Sequence, residues 1–203
     1  MTGALPLDVS RETLDRLKQY AGLLRKWNPR INLVATSTLD DLWTRHIVDS
    51  AQLYDLAPHP TRHWVDIGSG GGFPGLVIAI MAIDAGSPTN VTLVESDARK
   101  SAFLRTVIRE TGARASVITD RVENVAPLCA DVLSARALAD LPTLLAFAER
   151  HLAPGGKALF LKGQAWEKEL SVAREAWNFD HQVAKSVTED GPVILRISGV
   201  SRV

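Results

Sequence analysis

The chain has 203 residues, 46% hydrophobic and 23% charged, with 14 glycines and 10 prolines, a composition that excludes a disordered or fibrous protein. Lys and Arg number 23 against 23 Asp and Glu, so the strong field of most free-standing nucleic-acid binders is missing and any nucleic-acid partner has to be held by a local basic patch. A single cysteine, Cys129, rules out an internal disulfide and points to a reducing compartment, the cytoplasm.

The N-terminus shows no basic start followed by an apolar stretch, and the most apolar run, Leu76 to Ile83, is far short of the ~20 residues of a spanning helix. Neither secretion nor membrane spanning is expected. Asp8 or Ser10 caps a first helix whose Leu14, Leu17, Ala21 and Leu24 recur at helical spacing, ending near Asn28-Pro29, where proline disfavours helix in the residue before it. A second helix is expected from Thr38 or Leu39 to Leu53, with Leu42, Trp43, His46, Ile47, Ser50 and Leu53 along one side.

From His63 onward, short apolar runs alternate with helical stretches. The strands are His63 to Ile67, Val91 to Glu95, Ala115 to Thr119, Asp131 to Ala135 and Lys157 to Lys162, with helices at Gly75 to Ala85, Asp97 to Thr111, Ala139 to Leu152 and Ala165 to Trp177. This pattern predicts a parallel sheet with helices on both faces. The last two strands, Val183 to Val187 and Val193 to Ile197, are joined by Thr188-Glu189-Asp190-Gly191-Pro192, with no room for a crossover helix, so the chain closes in an antiparallel hairpin. The expected fold is α/β, a doubly wound seven-stranded Rossmann-like sheet with an N-terminal helical extension. The one candidate boundary, His59 to Arg62, separates the extension (residues 1–60) from the sheet domain (residues 61–203).

The most informative segment runs from Trp64 to Gly75, a strand leading through a glycine turn into a helix, with five glycines in eight positions from Gly68 to Gly75. Such a turn lets backbone approach a ligand and offers the free N–H groups of a helix start; packing alone rarely needs so many glycines. A dinucleotide fingerprint, G-x-G-x-x-G, would put its third glycine on Phe73. The loop reads G-x-G-x-G instead, preceded by Asp66, an acid suited to the amino group of a methionine moiety. Glu95 closes the second strand, where a carboxylate accepts both hydroxyls of an adenosine ribose. Together these favour S-adenosyl-L-methionine over a dinucleotide. Asp120-Arg121-Val122-Glu123 follows the third strand, where such folds bracket an adenine. Ser134-Ala135-Arg136-Ala137 follows the fourth and puts Arg136 beside the methyl-transfer position, its bland alternative being a surface salt bridge.

These residues, with Trp27-Asn28 and Asn32-Leu33, Arg45-His46 and Asp49-Ser50, and Leu161-Lys162-Gly163, resemble the small-subunit rRNA guanine-N7 methyltransferases, also called the glucose-inhibited division protein B family. The resemblance covers about Leu14 to Gln164. It implies that Gly68, Phe73, Val122, Glu123 and Arg136 bind S-adenosyl-L-methionine, with Glu95 at the family's second-strand acid, and the reading of the glycine loop adds Gly70. It also implies that the substrate is 16S rRNA or a small-subunit particle. Val34 stands where the family commonly has threonine, and Glu95 where it often has aspartate. Guanine N7 carries a free lone pair, so its methylation needs alignment and electrostatics but no base. Arg136 and Lys162 are the expected catalytic groups, as donors to guanine O6 or flanking phosphates. Arg25, Lys26, Arg30, Arg45 and Lys162 are expected to form the RNA patch.

Other constellations weigh less. Arg45, His46, Asp49 and Ser50 share one helix; a histidine beside an acid and a serine suggests a hydrolase, but there is no nucleophile elbow, and the cluster is read as fastening the N-terminal helices over the pocket, with a direct substrate role as the alternative. His59 and His63 have a metal-like interval but no further ligands, so no metal is expected. Cys129 reads as a buried inert thiol, and Trp43, Trp166 and Trp177 as core or rim aromatics. A monomer is expected. The rival readings are a small-molecule methyltransferase on the same fold and a ribosome assembly factor that binds S-adenosylmethionine without turnover.

Overall fold

The computed structural model describes residues 8–203, so the reading of the N-terminus as free of a leader falls partly outside the described residues. Ser10 caps α1 (Arg11–Ile31) by accepting the Thr13 N–H on its side chain. The helix turns Leu17, Tyr20, Ala21 and Leu24 inward. It does not stop at Asn28-Pro29. Trp27 and Ile31 pack against the core, which holds the last turn in place despite Pro29, and Asn32 ends it in a left-handed conformation with its N–H on the Asn28 carbonyl.

The expected second helix is broken into a 3-10 turn (Thr36–Thr38), a π-helical stretch (Trp43–Val48) and α2 (Asp49–Leu56). The consecutive His46, Ile47 and Val48 are all buried. A one-sided α-helix does not bury three neighbours, and the wider turn accommodates them.

The sheet has seven strands in the order β3-β2-β1-β4-β5-β7-β6. They are β1 (His63–Ile67), β2 (Asn90–Val94), β3 (Ala115–Ile118), β4 (Ala130–Arg136), β5 (Leu152–Lys162), β6 (Trp177–Lys185) and β7 (Val193–Arg202). The first five are parallel, and β7 runs antiparallel between β5 and β6. The doubly wound layout and antiparallel ending agree with the sequence pattern. The hairpin is longer than expected: β6 starts at Trp177, α6 (Trp166–Ala173) ends before it, and pairing extends to Trp177 opposite Arg202. Arg202 lies over the Trp177 ring, 3.9 Å from its centroid, which anchors that end.

Alternation along the strands builds two cores. Trp64, Leu93, Val132 and Leu159 join α1, α3 (Gly75–Ala85) and α4 (Ala98–Thr111) on one face, while Val65, Ile67, Leu133 and Phe160 join α5 (Leu141–His151) and α6 on the other. Cys129, expected to be buried, is exposed: it occupies a left-handed position (φ 51°) just before β4, in a loop outside both cores. Trp177 is core, and Trp43 and Trp166 pack at core edges.

Candidate active site

The segments singled out in the sequence lie at the carboxyl ends of parallel strands, so the sheet order sets them in one row. Val122 and Glu123 follow β3, Glu95 follows β2, the glycine loop follows β1, Arg136 ends β4 and Lys162 ends β5. Gly68, Gly70, Phe73, Glu95, Val122, Glu123 and Arg136 all line a single cavity of about 650 Å³. Lys162 does not.

The loop demands glycine at positions 72 and 70 for different reasons. Gly72 has φ 98°, and a Cβ there would lie 2.4 Å from Leu76 and 2.8 Å from the Tyr20 hydroxyl. Gly70 has φ 54°, but a Cβ would meet nothing nearer than the Gly68 carbonyl at 3.8 Å, leaving open space on the cavity side. The Gly70 N–H donates to Glu95 Oε2 and the Asp97 N–H to Glu95 Oε1, each at 2.8 Å. The buried carboxylate is thereby fixed, with a lone pair on each oxygen left for a ligand.

Asp66 does not face the cavity, contrary to its expected role at a methionine amino group. It points to the α3 side of β1, fully buried: Trp64 Nε1 donates to Ser134 Oγ at 2.9 Å, and Ser134 Oγ donates to Asp66 Oδ1 at 2.7 Å. Asp66 Oδ2 has no hydrogen-bond partner among the described residues. Burial raises this carboxyl to about 6, opposed by the Ser134 bond.

Phe73 is the hub of the other end. Its ring stacks on Tyr20 (centroids 5.2 Å apart) and His46 (5.0 Å), and Arg136 Cζ sits 4.8 Å from its centroid. Tyr20, absent from the sequence reading although it shares the inward face of α1, donates its hydroxyl to the Gly71 carbonyl. Thr38 Oγ1 donates to the Ala35 carbonyl and therefore accepts from His46 Nε2 at 2.8 Å. Nδ1 then carries the lone pair, buried and without a hydrogen-bond partner among the described residues. Burial, with Arg136 and Arg45 nearby, lowers His46 to about 3, so the ring is neutral.

Arg136 Nη1 lies 3.6 Å from Asp49 Oδ2 and donates to the Arg45 carbonyl at 3.2 Å. The pair is no surface bridge, since both side chains are less than a fifth exposed and Arg136 lines the cavity. Burial lowers the Arg136 pKa, with Asp49 opposing. Asp49 Oδ1 accepts from Gln52, Ser186 and Thr188, tying α2 to the β6–β7 turn. The fastening expected of this cluster thus runs through Asp49. Ser50 Oγ has no hydrogen-bond partner among the described residues. Asn28 does similar work: its Oδ1 accepts the Leu33 and Val34 N–H groups at 2.8 and 2.9 Å, holding two cavity-lining residues against the glycine loop.

Lys162 departs furthest from expectation. Its Nζ lies 2.6 Å from Glu169 and donates to the Ala139 carbonyl at 3.0 Å, with the side chain only 8% exposed. It is therefore not a surface contact for phosphate, because α6 brings Glu169 over it. His59 bonds Ser87 and Tyr54, and His63 bonds Thr92. Among the described residues no group of three or more His, Cys, Asp or Glu could hold a metal ion, and no helix is long and apolar enough to cross a membrane.

A parallel sheet closed by an antiparallel β7, with a glycine loop after β1 and a fixed acid after β2 facing one strand-end cavity, defines the class of S-adenosylmethionine-dependent methyltransferases. Solved structures with the same fold include a MtNAS mutant in complex with S-adenosylmethionine (TM-score 0.60, 16% identity, covering 91% of this chain and 75% of that one). Another is a SAM-dependent methyltransferase from Aquifex aeolicus (TM-score 0.59, 11% identity, 87% and 97% covered). Residues 13–193 match the family described as rRNA small subunit methyltransferase G, and the chain belongs to that family. A ribosomal RNA small subunit methyltransferase G of Ruegeria pomeroyi is 57% identical, over 97% of this chain and 96% of its own length. The protein of the same name from Rhodospirillum centenum is 54% identical, over 95% and 87%.

Proposed function

We propose that the protein transfers the methyl group of S-adenosylmethionine to N7 of one guanine in 16S rRNA of the small ribosomal subunit, in the cytoplasm, as a single chain and without a metal. The observation that carries this reading is the row of strand ends on one cavity. In spatial order it sets out Val122 and Glu123, Glu95, the glycine loop and Arg136, which supports reading them as the adenine, ribose and methionine sites and the guanidinium beside the point of transfer. The residues present fit the ligand: Glu95 retains acceptor capacity for two hydroxyls, and the space over Gly70 is open.

Bound along the glycine loop and on Glu95, S-adenosylmethionine would supply an electrophilic methyl on a sulfonium, and the N7 lone pair would need no deprotonation to accept it, the C–S electron pair remaining on sulfur. The protein's work is then alignment and charge placement. Phe73 and Asp49 hold the planar Arg136 guanidinium in place. Neutral His46 neither supplies nor withdraws charge beside it. The absence of a general base from this list suits a nucleophile that has no proton to lose. Exposed Lys26 and Arg30 at the end of α1, with Arg25 and Arg45, are the remaining patch for RNA phosphates; buried Lys162 is not part of it.

Incubation with methyl-labelled S-adenosylmethionine tests this reading. Label should enter small ribosomal subunits and be recovered as 7-methylguanosine. Labelling of a metabolite pool but not of rRNA would instead favour the small-molecule reading, and cofactor binding without transfer to any substrate the assembly-factor reading.

A further inference from the structure

The row of strand ends continues past the cofactor cavity. Between the ends of β4 and β5 and the β6–β7 turn lies a second cavity of about 230 Å³, and Arg136, Ala137 and Ala139 form a wall common to both. With the adenine end at β3 and the methionine end at β1 and β4, this second space is the next position along the rim. It is the size of a single planar base rather than of a second adenosine ligand.

Its charges suit a base that becomes cationic. Arg136 is paired with Asp49 at 3.6 Å and Lys162 with Glu169 at 2.6 Å, so neither cation faces the space uncompensated. A bare ammonium or guanidinium there would oppose the positive charge that a purine acquires as N7 is alkylated. Glu169 takes both its bonds on Oε2, from Lys162 Nζ and from the Leu141 N–H at 2.8 Å. Oε1 makes no hydrogen bond among the described residues.

We infer that this cavity receives the target guanine and that Glu169 Oε1 accepts from its N1–H and exocyclic N2 amino group, with Lys162 positioning the carboxylate. The inference rests on the activity proposed above. Adenine would present a lone pair at N1 and no amino group at C2 to the same oxygen, so the carboxylate discriminates against it. Asp49 closes the pocket on the side of the β6–β7 turn through its bonds to Ser186 and Thr188.

The test uses small subunits reconstituted with guanosine or with inosine, which lacks only the N2 amino group, at the methylated position. Wild-type protein should prefer guanosine by roughly 10- to 100-fold in kcat/KM, as expected for one hydrogen bond to a charged acceptor. Glu169→Gln should lose a comparable factor on guanosine, fall to within about two-fold between the two substrates, and bind S-adenosylmethionine as before. Gly163→Leu supplies an independent variant: Gly163 lines the second cavity only, and a Cβ there meets nothing within 4 Å, so the protein should fold, keep its cofactor affinity and lose turnover. Full guanosine preference in Glu169→Gln, or wild-type turnover in Gly163→Leu, overturns the assignment. No transfer by the wild type to the guanosine particle overturns the activity reading and this inference with it.

Discussion

Gly70 and Glu95 form one unit: the glycine's N–H rests on Glu95 Oε2 at 2.8 Å, so the acid proposed for the ribose also shapes the loop proposed for the methionine. Glu95→Gln keeps the shape but turns one of two acceptors into a donor, and either the Gly70 or the Asp97 N–H then faces an amide NH₂. Calorimetry should show S-adenosylmethionine affinity reduced about 10-fold or more, and urea unfolding a stability loss of about 1–3 kcal/mol. Wild-type values for both would contradict this coupling.

At Gly70 the backbone and the cavity make separable demands. Gly70→Ala adds a methyl to open space at φ 54°, at a cost of about 1–2 kcal/mol in the left-handed region, and should lower Tm by roughly 2–8 °C. Gly70→Val adds bulk in the ligand's volume and should abolish measurable cofactor binding in a folded protein. Unchanged affinity in a folded Gly70→Val variant would remove the methionine moiety from this loop.

Arg136→Lys keeps the charge but loses the guanidinium over Phe73 and the Nη1 group that reaches both Asp49 and the Arg45 carbonyl. Activity should fall by a factor of roughly 10 or more, about 1.4 kcal/mol of transition-state stabilisation, with the fold intact. Weakened cofactor binding in this variant would identify a contact to the methionine carboxylate, and normal binding with poor turnover a contact to the base. Full activity would leave Arg136 a structural ion pair.

Asp66 and His46 tilt the pH dependence of stability in opposite directions. Asp66 is raised from 3.8 to about 6, so the folded protein keeps a proton that the unfolded chain has released, and its contribution falls as pH rises through that interval. His46 is lowered from 6.5 to about 3, so the unfolded chain gains a proton that the folded one refuses, and stability falls as pH drops below 6.5. Between these limits the slopes, each up to about 1.4 kcal/mol per pH unit, largely cancel. Asp66→Asn should therefore steepen the loss on acidification from pH 6 to 4, and His46→Gln should make it shallower or reverse it. Urea midpoints across this range check both, and superimposable profiles for wild type and variants would refute the assignment.

The sheet was legible because its strands are short apolar runs punctuated by glycine, proline and capping residues, and because a five-residue turn cannot hold a crossover helix. That the singled-out segments share one rim was legible for the same reason: strand ends align whatever their side chains do. Side-chain direction was not legible. Asp66 alternates to the α3 face, which only the register of β1 against β4 reveals, through its bond to Ser134. Lys162 is withdrawn by Glu169, whose reach depends on where α6 lands. The π-helical stretch at His46 and the role of Asn28 as a loop tie are tertiary decisions with no local signature, although both residues lay within motifs already noticed.

The central claim is settled most directly by mapping modified guanines, by mass spectrometry, in small-subunit rRNA from cells with and without this protein. One 7-methylguanosine should be present in the first sample, absent from the second, and restored by the wild-type protein but not by the Gly70→Val variant. Identical maps from the two samples would contradict the account.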